Sequence, residues 1–332
     1  MPAATERIAE TLVASEFDLI RRYFSRPVHS ALLGGGDDCA LVKPRPGMLL
    51  AVSTDMLVEG THFLPGTDAQ RLGHKTLAVN LSDLAAMGAD ARWVLLSVAL
   101  PRVDEAWIAE FARGFYALAD RVGVELIGGD TTRGPLTMSV TVMGEVPAGL
   151  ELRRSGARAG DDIWLSGVTG DAALALACLQ GRATLPDAML AACRLRLEAP
   201  EPRLELGGRL RGLGCSAIDV SDGLLADLGH ITQASAVSAE LLLDSLPRSP
   251  AMASCSDTAL LQECLLAGGD DYELVFTAPA AVRRDLEALS SELKISLTRI
   301  GGMLPGPPRV VVRKGDGGEL ALTHRGFDHF HS

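Results

Sequence analysis

Five short acidic clusters recur along the chain: GGGDD (Gly34 to Asp38), STD (Ser53 to Asp55), NLSD (Asn80 to Asp83), GGDTT (Gly128 to Thr132) and DVSDG (Asp219 to Gly223). Three of them directly follow stretches that read as buried strands, MLLAVS, VELI and SAI. A charge at the end of a buried strand is costly unless it is compensated. Several such strands aiming their acids at one place need cations between them. Hard divalent cations with oxygen ligands, Mg²⁺ above all, meet that need. The pattern therefore points to a Mg²⁺-dependent enzyme that handles a polyphosphate.

Charge narrows the choice of partner. A formal net charge of −11 argues against nucleic acid or an anionic membrane held by a basic surface. It would repel a polyphosphate too, unless metal ions stood between the two sets of negative charge. The chain's 332 residues suffice for two domains. With 47% hydrophobic and 22% charged residues it reads as globular, and with only 4% aromatics its cores must be aliphatic. None of the 6 cysteines forms a C-x-x-C pair, so neither a zinc knuckle nor a thioredoxin-type motif is indicated. No apolar run approaches the roughly 18 residues of a membrane helix. The N-terminal MPAATERIAETLV lacks an uninterrupted apolar core, so it does not read as a secretory signal, and a reduced cytoplasm is expected.

Along the chain, Ser15 begins S-E-F-D, a plausible helix cap, with Phe17, Ile20 and Phe24 at helical spacing behind it. GGGDDCALV reads as a tight turn into a strand, and MLLAVSTD as a strand whose exit carries Ser53, Thr54 and Asp55. Residues 68–89 read as a long helix, nearly all apolar from Thr76 to Ala89. Thr76, Asn80 and Asp83 fall on one narrow stripe of it. A surface helix would carry a broad polar face, so this one is expected to be buried with its stripe aimed at something wet or ionic. Asp104 caps an amphipathic helix, VELI is a strand running into the loop GGDTT, and TMSVTVMGEV alternates as a strand. A Gly/Arg/Ala-rich segment, PAGLELRRSGARAGDD, marks a domain boundary near residue 148, giving domains 1–148 and 149–332. Beyond it, DIWLSGVTGD, SAIDVSDG, AELLLD, YELVFTA, ISLTRI and RVVVRK supply a second sheet. Alternating strands and helices throughout give an α/β architecture.

Each cluster alone has a plain explanation. Gly and Asp are ordinary turn residues, the acids of GGDTT and DVSDG would serve as helix caps, and Asn80 with Asp83 would serve as buried, satisfied polar groups. Their joint occurrence is what favours a site. There is no G-x-x-x-x-G-K-S/T run, no third glycine after GGGDD and no kinase catalytic-loop set. VTGD (Val168 to Asp171) offers a weak phosphate cradle at a helix start. G-x-S-x-G does not occur and the cysteines lack an obvious histidine partner, so a covalent hydrolase is not indicated. His62, in VEGTHF, reads first as a packing residue, and its place near Asp55 favours a ligand role. The tail GFDHFHS reads as a frayed end from which Phe327 returns to cover a site.

GGGDDCAL, STDMLVEGTHF, KTLAVNLSDLAAMGA, LIGGDTTRGP, RSGARAGD, AIDVSDGLLADLGH and GGDDYELVF occur in this order. Together they closely resemble the thiamine-monophosphate kinase family of the PurM-like (aminoimidazole ribonucleotide synthetase) superfamily, over essentially the whole chain. The resemblance implies a PurM-like fold of two α/β domains and a homodimer formed through the N-terminal domain. It implies transfer of the γ-phosphoryl of ATP to thiamine monophosphate. It implies that Asp38, Ser53, Thr54, Asp55, Asp83, Asp130, Asp219 and Asp222 hold several Mg²⁺ ions. Gly129, Asp130, Arg154 and Ser221 fall on ATP-contacting positions, and His62, Asp270 and Phe327 on substrate-contacting ones. One departure stands out: the family's GGEDYEL is GGDDYEL here, with Asp270 for glutamate. Aspartate is shorter by one methylene, about 1.5 Å, so a direct contact to the substrate becomes a water-bridged one.

The acceptor oxygen belongs to a phosphate monoester whose second pKa is near 6, so it is already ionised at neutral pH. No general base or covalent nucleophile is then expected, and the obstacle is repulsion between two anions. Two other readings stay open. A selenophosphate synthetase would need a reactive cysteine, for which Cys39 is the candidate. A catalytically silent sensor would bind metal and nucleotide without turnover.

Overall fold

The structure is a computed structural model that describes residues 15–321, 326 and 327. In chain order the first half contains α1 (Glu16–Leu19), β1 (Met48–Val58), α2 (Ala69–Ala86), β2 (Asp90–Leu100), α3 (Glu105–Val122), β3 (Glu125–Arg133) and β4 (Thr137–Pro147). Its four strands form a mixed sheet in the order β1-β4-β2-β3, antiparallel except for the β2–β3 pair. Alternation along β4 turns Met138, Val140 and Val142 inward, where they meet α2 and α3 in one aliphatic core.

The second half contains β5 (Asp162–Ser166), α4 (Asp171–Leu179), α5 (Asp187–Glu198), α6 (Leu204–Leu210), β6 (Ser216–Asp219), α7 (Leu224–Ser235), β7 (Ser238–Leu242), α8 (Pro250–Ser254), α9 (Thr258–Ala267), β8 (Leu274–Ala278), α10 (Arg283–Leu293), β9 (Leu297–Leu304) and β10 (Arg309–Arg313). Its sheet runs β10-β7-β9-β5-β8-β6, antiparallel apart from β10–β7. Helices on both sides of this sheet give it two cores. The α/β reading holds, with two mixed sheets packed by helices.

Helix α2 joins the halves. Leu77, Leu81 and Leu84 enter the first core, whereas Ala85 and Ala86 pack with Leu206, Trp164 and Phe276 of the second. The expectation of a buried helix is met, because it has neighbours on every side. It sits unusually close to two of them. A Cβ on Gly73 would lie 2.0 Å from the Phe111 carbonyl oxygen, and one on Gly114 would lie 1.8 Å from that of Gln70. Two glycines facing each other's backbones allow α2 and α3 to approach closely. Gly207 of α6 does the same against Ala85.

Three local expectations are corrected. β1 runs on to Val58, so Ser53 to Asp55 lie within the strand and not at its exit, and GGDTT lies inside β3 instead of in a loop. The reason is pairing: β4 offers β1 a partner from Met48–Pro147 to Val58–Thr137, and β2 pairs β3 as far as Leu100–Arg133. GGGDDCALV forms no strand, only isolated bridges at Leu33–Leu41 and Gly35–Asp37. The Ser15 cap is real, with a reciprocal Asp18 contact, but α1 is short and passes into a wider turn over Ile20–Phe24.

Gly114→Ala is expected to lower unfolding stability by about 3 kcal/mol, because a backbone atom rather than a side chain must give way. Urea titration of variant and parent checks this. An unchanged midpoint would mean that α2 does not need its close approach to α3.

Candidate active site

A cavity of about 540 Å³ opens where α2, the inner face of β1 and the end of β6 meet. Five carboxylates line it: Asp55, Asp83, Asp219, Asp222 and Asp227. Hydrogen bonds hold several of them, or the backbone around them, in place. Asn80 accepts the Asp55 amide at 2.9 Å and donates to the Thr76 carbonyl at 3.1 Å, so it pins β1 to α2. Ser53 donates to Asp83 at 2.5 Å from behind the cavity wall. A single oxygen of Asp227 accepts the amides of Ser221, Asp222 and Gly223 at 3.0, 3.1 and 3.1 Å, which fixes the DVSDG turn. The Phe327 amide donates to the Asp222 carbonyl at 2.9 Å, so this exposed residue does return to that turn.

The charges here differ from those around the buried glutamates. Those three are each met by two arginines: Glu145 by Arg45 and Arg92, Glu198 by Arg71 and Arg194, Glu273 by Arg196 and Arg203. Burial pushes Glu145 up, yet the Arg45 amide and the guanidinium groups hold it below the usual carboxylate range. Among the described residues, Arg154 is the only arginine or lysine on the cavity wall. Partial burial, then the charges of Asp83 and Asp222, push Asp55 up to about 6. Burial and the charge of Asp83 raise Asp219, and burial raises Asp83. Burial and Asp222 push Asp227 up to about 7 against the pull of its three amides.

Such a set fits hard divalent cations. The carboxylates offer oxygen donors, and among the described lining residues they outnumber the cationic side chains. Among the described residues no three His, Cys, Asp or Glu groups already converge as a finished metal cage. That arrangement suits Mg²⁺, which keeps several waters and is held by one or two carboxylates plus phosphate oxygens.

The expected site residues divide in space. Thr54, Asp55, Asp83, Asp219, Asp222, Arg154, Ser221 and His62 line this cavity, and Ser53 stands directly behind it. Thr54 has its hydroxyl on the Val140 carbonyl at 2.9 Å and accepts from Thr141 at 3.1 Å. Asp38, Gly129 and Asp130 line a separate cavity of about 1100 Å³ on the outer face of the first sheet, with Phe17, Ile20 and Phe24 at its rim. Asp270 lines neither and pairs with Lys75 at 2.9 Å. Four residues around the site went unnoticed in the sequence. Asp227 and His230 lie three apart on α7, directly after DVSDG. Tyr272 follows the GGDD turn, and Lys75 immediately precedes the apolar run of α2. Next to His74 and Thr76, Lys75 did not stand out as Asn80 did inside the run.

Residues 36–146 match the family described as AIR synthase related protein, N-terminal domain. The thiamine-monophosphate kinase of Escherichia coli strain K12 is 45% identical over 323 residues, covering 96% of this chain and 99% of its own. That of Haemophilus influenzae is 41% identical over 330 residues, with 96% and 99% covered. Among solved structures, the thiamine-monophosphate kinase of Stenotrophomonas maltophilia K279a superposes with a TM-score of 0.81 at 50% identity, covering 88% of this chain and 92% of that one. The structure of AaThiL complexed with AMPPCP and TMP superposes at 0.76 and 28% identity, covering 87% and 89%.

Asp55 provides a test of the local charge. Its folded-state pKa lies above its ordinary value of 3.8, so the unfolded chain releases this proton first and stability is lost as pH rises from 3.8 through about 6. In chelator, Asp55→Asn is therefore expected to gain stability relative to the parent across that window, measured by denaturant titration at several pH values. Added Mg²⁺ is expected to stabilise the parent more than the variant. A stability difference that does not change with pH would contradict the local repulsion.

Proposed function

The chain belongs to the thiamine-monophosphate kinase family, and on that premise we propose that it phosphorylates thiamine monophosphate with ATP, in a Mg²⁺-dependent, direct in-line transfer. The observation that carries the proposal is the gathering of five carboxylates, Asp55, Asp83, Asp219, Asp222 and Asp227, on one cavity wall where Arg154 is the one arginine or lysine among the described lining residues. Carboxylates gathered on one wall repel one another, and a cationic ligand offsets that repulsion.

When bound, Mg²⁺ would supply the positive charge that lets two phosphates approach. Asp55, Asp83, Asp219 and Asp222 are the residues on this wall to hold it, with Ser53 and Thr54 at the β1 side. Asp227 acts at one remove, by keeping the DVSDG turn in shape. Arg154 faces the same space and suits a phosphate oxygen of ATP, beside Ser221. An oxygen of the acceptor phosphate attacks the γ-phosphorus, the bond to the ADP oxygen breaks, and ADP leaves. No proton has to move, because the attacking oxygen is already ionised. His62 stands at the acceptor end, where its Nδ1 accepts the Val58 amide at 3.0 Å, which leaves Nε2 to carry the proton. Phe327 covers the Asp222 side.

Asp38, Gly129 and Asp130 belong to this proposal through the family resemblance, and so does a domain division at residue 148. Their cavity lies on the outer face of the first sheet, with Phe17 of α1 at its rim. Leu50, Val52 and Met56 are exposed along β1 on that face, beside Leu95 and Met143. Such a face fits a homodimer formed through the N-terminal half. Among the described residues, no helix is long and apolar enough to cross a membrane.

Incubation with ATP and thiamine monophosphate is expected to yield thiamine diphosphate with Mg²⁺ and none in excess chelator. A folded protein that binds MgATP yet forms no product would favour a silent binder instead. Sedimentation is expected to give a dimer for the parent and a monomer for Val52→Lys. A monomeric parent would remove the dimer.

A further inference from the structure

Lys75 is among the largest fully buried side chains of the protein, only 1% exposed, in the middle of α2. An ammonium is rarely buried without dedicated partners. Here the partners come from two different segments. Nζ pairs with Asp270 Oδ1 at 2.9 Å and donates to the backbone carbonyl of His62 at 3.2 Å. Asp270 also accepts the Tyr272 hydroxyl at 3.1 Å. One buried charge thus reaches both the His62 segment and the 270–272 turn.

That turn is strained. Asp270 and Tyr272 both adopt positive φ, 67° and 51°, without being glycine. Strain of this kind persists where the surroundings fix it. The Asp270 amide donates to the Ser221 carbonyl at 2.9 Å and the Tyr272 amide to that of Val220 at 2.8 Å. On one side Asp271 accepts the Gly170 amide, and beyond it Glu273 is held by Arg196 and Arg203. The remaining side faces the first half of the chain, and there Lys75 is the tie. The result puts Tyr272 and His62 on the cavity wall, while the Asp270 carboxylate is directed to Lys75.

Resting on the kinase proposal above, we infer that Lys75 is a positioning residue for the acceptor end of the site. Its ammonium sets the spacing between His62 and Tyr272. By engaging Asp270 it leaves the face of Tyr272, and not the Asp270 carboxylate, to meet the cationic thiazolium of thiamine monophosphate. An aromatic face is a suitable partner for such a ring.

The test is steady-state kinetics of the full chain, with each substrate varied in turn. Lys75→Met keeps the length of the stem and removes the charge. It is expected to raise KM for thiamine monophosphate about tenfold, through loss of orientation, and to leave KM for ATP unchanged. Asp270→Asn is expected to act in the same direction, and the double variant to be no worse than the worse single one. Should Lys75→Met fail to fold, Tyr272→Phe removes only the hydroxyl bonded to Asp270, and about a threefold rise in the same KM is expected. An unchanged KM for thiamine monophosphate, equal rises in both KM values, or additive effects in the double variant would overturn the inference while the kinase proposal stood. A parent protein that forms no thiamine diphosphate would remove the proposal and this inference with it.

Discussion

Helix α2 is enclosed along most of its length, and much of the molecule is organised around that constraint. Its leucines fill the first core, its last alanines enter the second, and Gly73, Gly114 and Gly207 let neighbouring helices approach to backbone contact. A helix enclosed in this way can carry polar groups only where another segment satisfies them. Thr76 turns back on the Leu72 carbonyl, Asn80 holds β1, Asp83 meets Ser53, and Lys75 meets Asp270. Asn80, Asp83 and Lys75 are therefore each also a link between the helix and a segment that forms the site.

The same enclosure explains the electrostatics. Asp83 comes from α2, Asp55 from β1, and Asp219 and Asp222 from the end of β6. They are near one another because α2 packs on both strands. The protein neutralises its buried glutamates with arginine pairs, whereas this wall gathers five carboxylates around Arg154. On the proposed function, a polyphosphate with its metal ions would supply the balancing positive charge. An overall charge of −11 is then no obstacle to binding an anion.

Much of this could be read in the sequence because it is local. The apolar run with Asn80 and Asp83 on one stripe identified a buried helix facing something polar, and the order of motifs carried the family. Features that depend on distant partners could not be read in the same way. Ser53 and Asp130 lie within strands because β4 and β2 pair them there, and a strand's length is decided by its neighbours. The sheet's pleat sends Asp130 to the outer face and Asp55 to the inner one, so acids that look equivalent in the sequence line different cavities. Lys75 sits between His74 and Thr76 and gave no isolated signal like that of Asn80, and its partner Asp270 is far away in the chain. Shortening Glu to Asp at 270 was visible; its engagement by a buried lysine was not.

The central claim is that carboxylates brought together by α2, β1 and β6 are completed by divalent cations that also hold the phosphates. Anomalous diffraction from crystals grown with Mn²⁺, a non-hydrolysable ATP analogue and thiamine monophosphate tests it most directly. Metal peaks between Asp55, Asp83, Asp219 and Asp222, with phosphate oxygens completing their coordination, are the expected result. Peaks elsewhere, with nucleotide bound and these carboxylates bare, would contradict it.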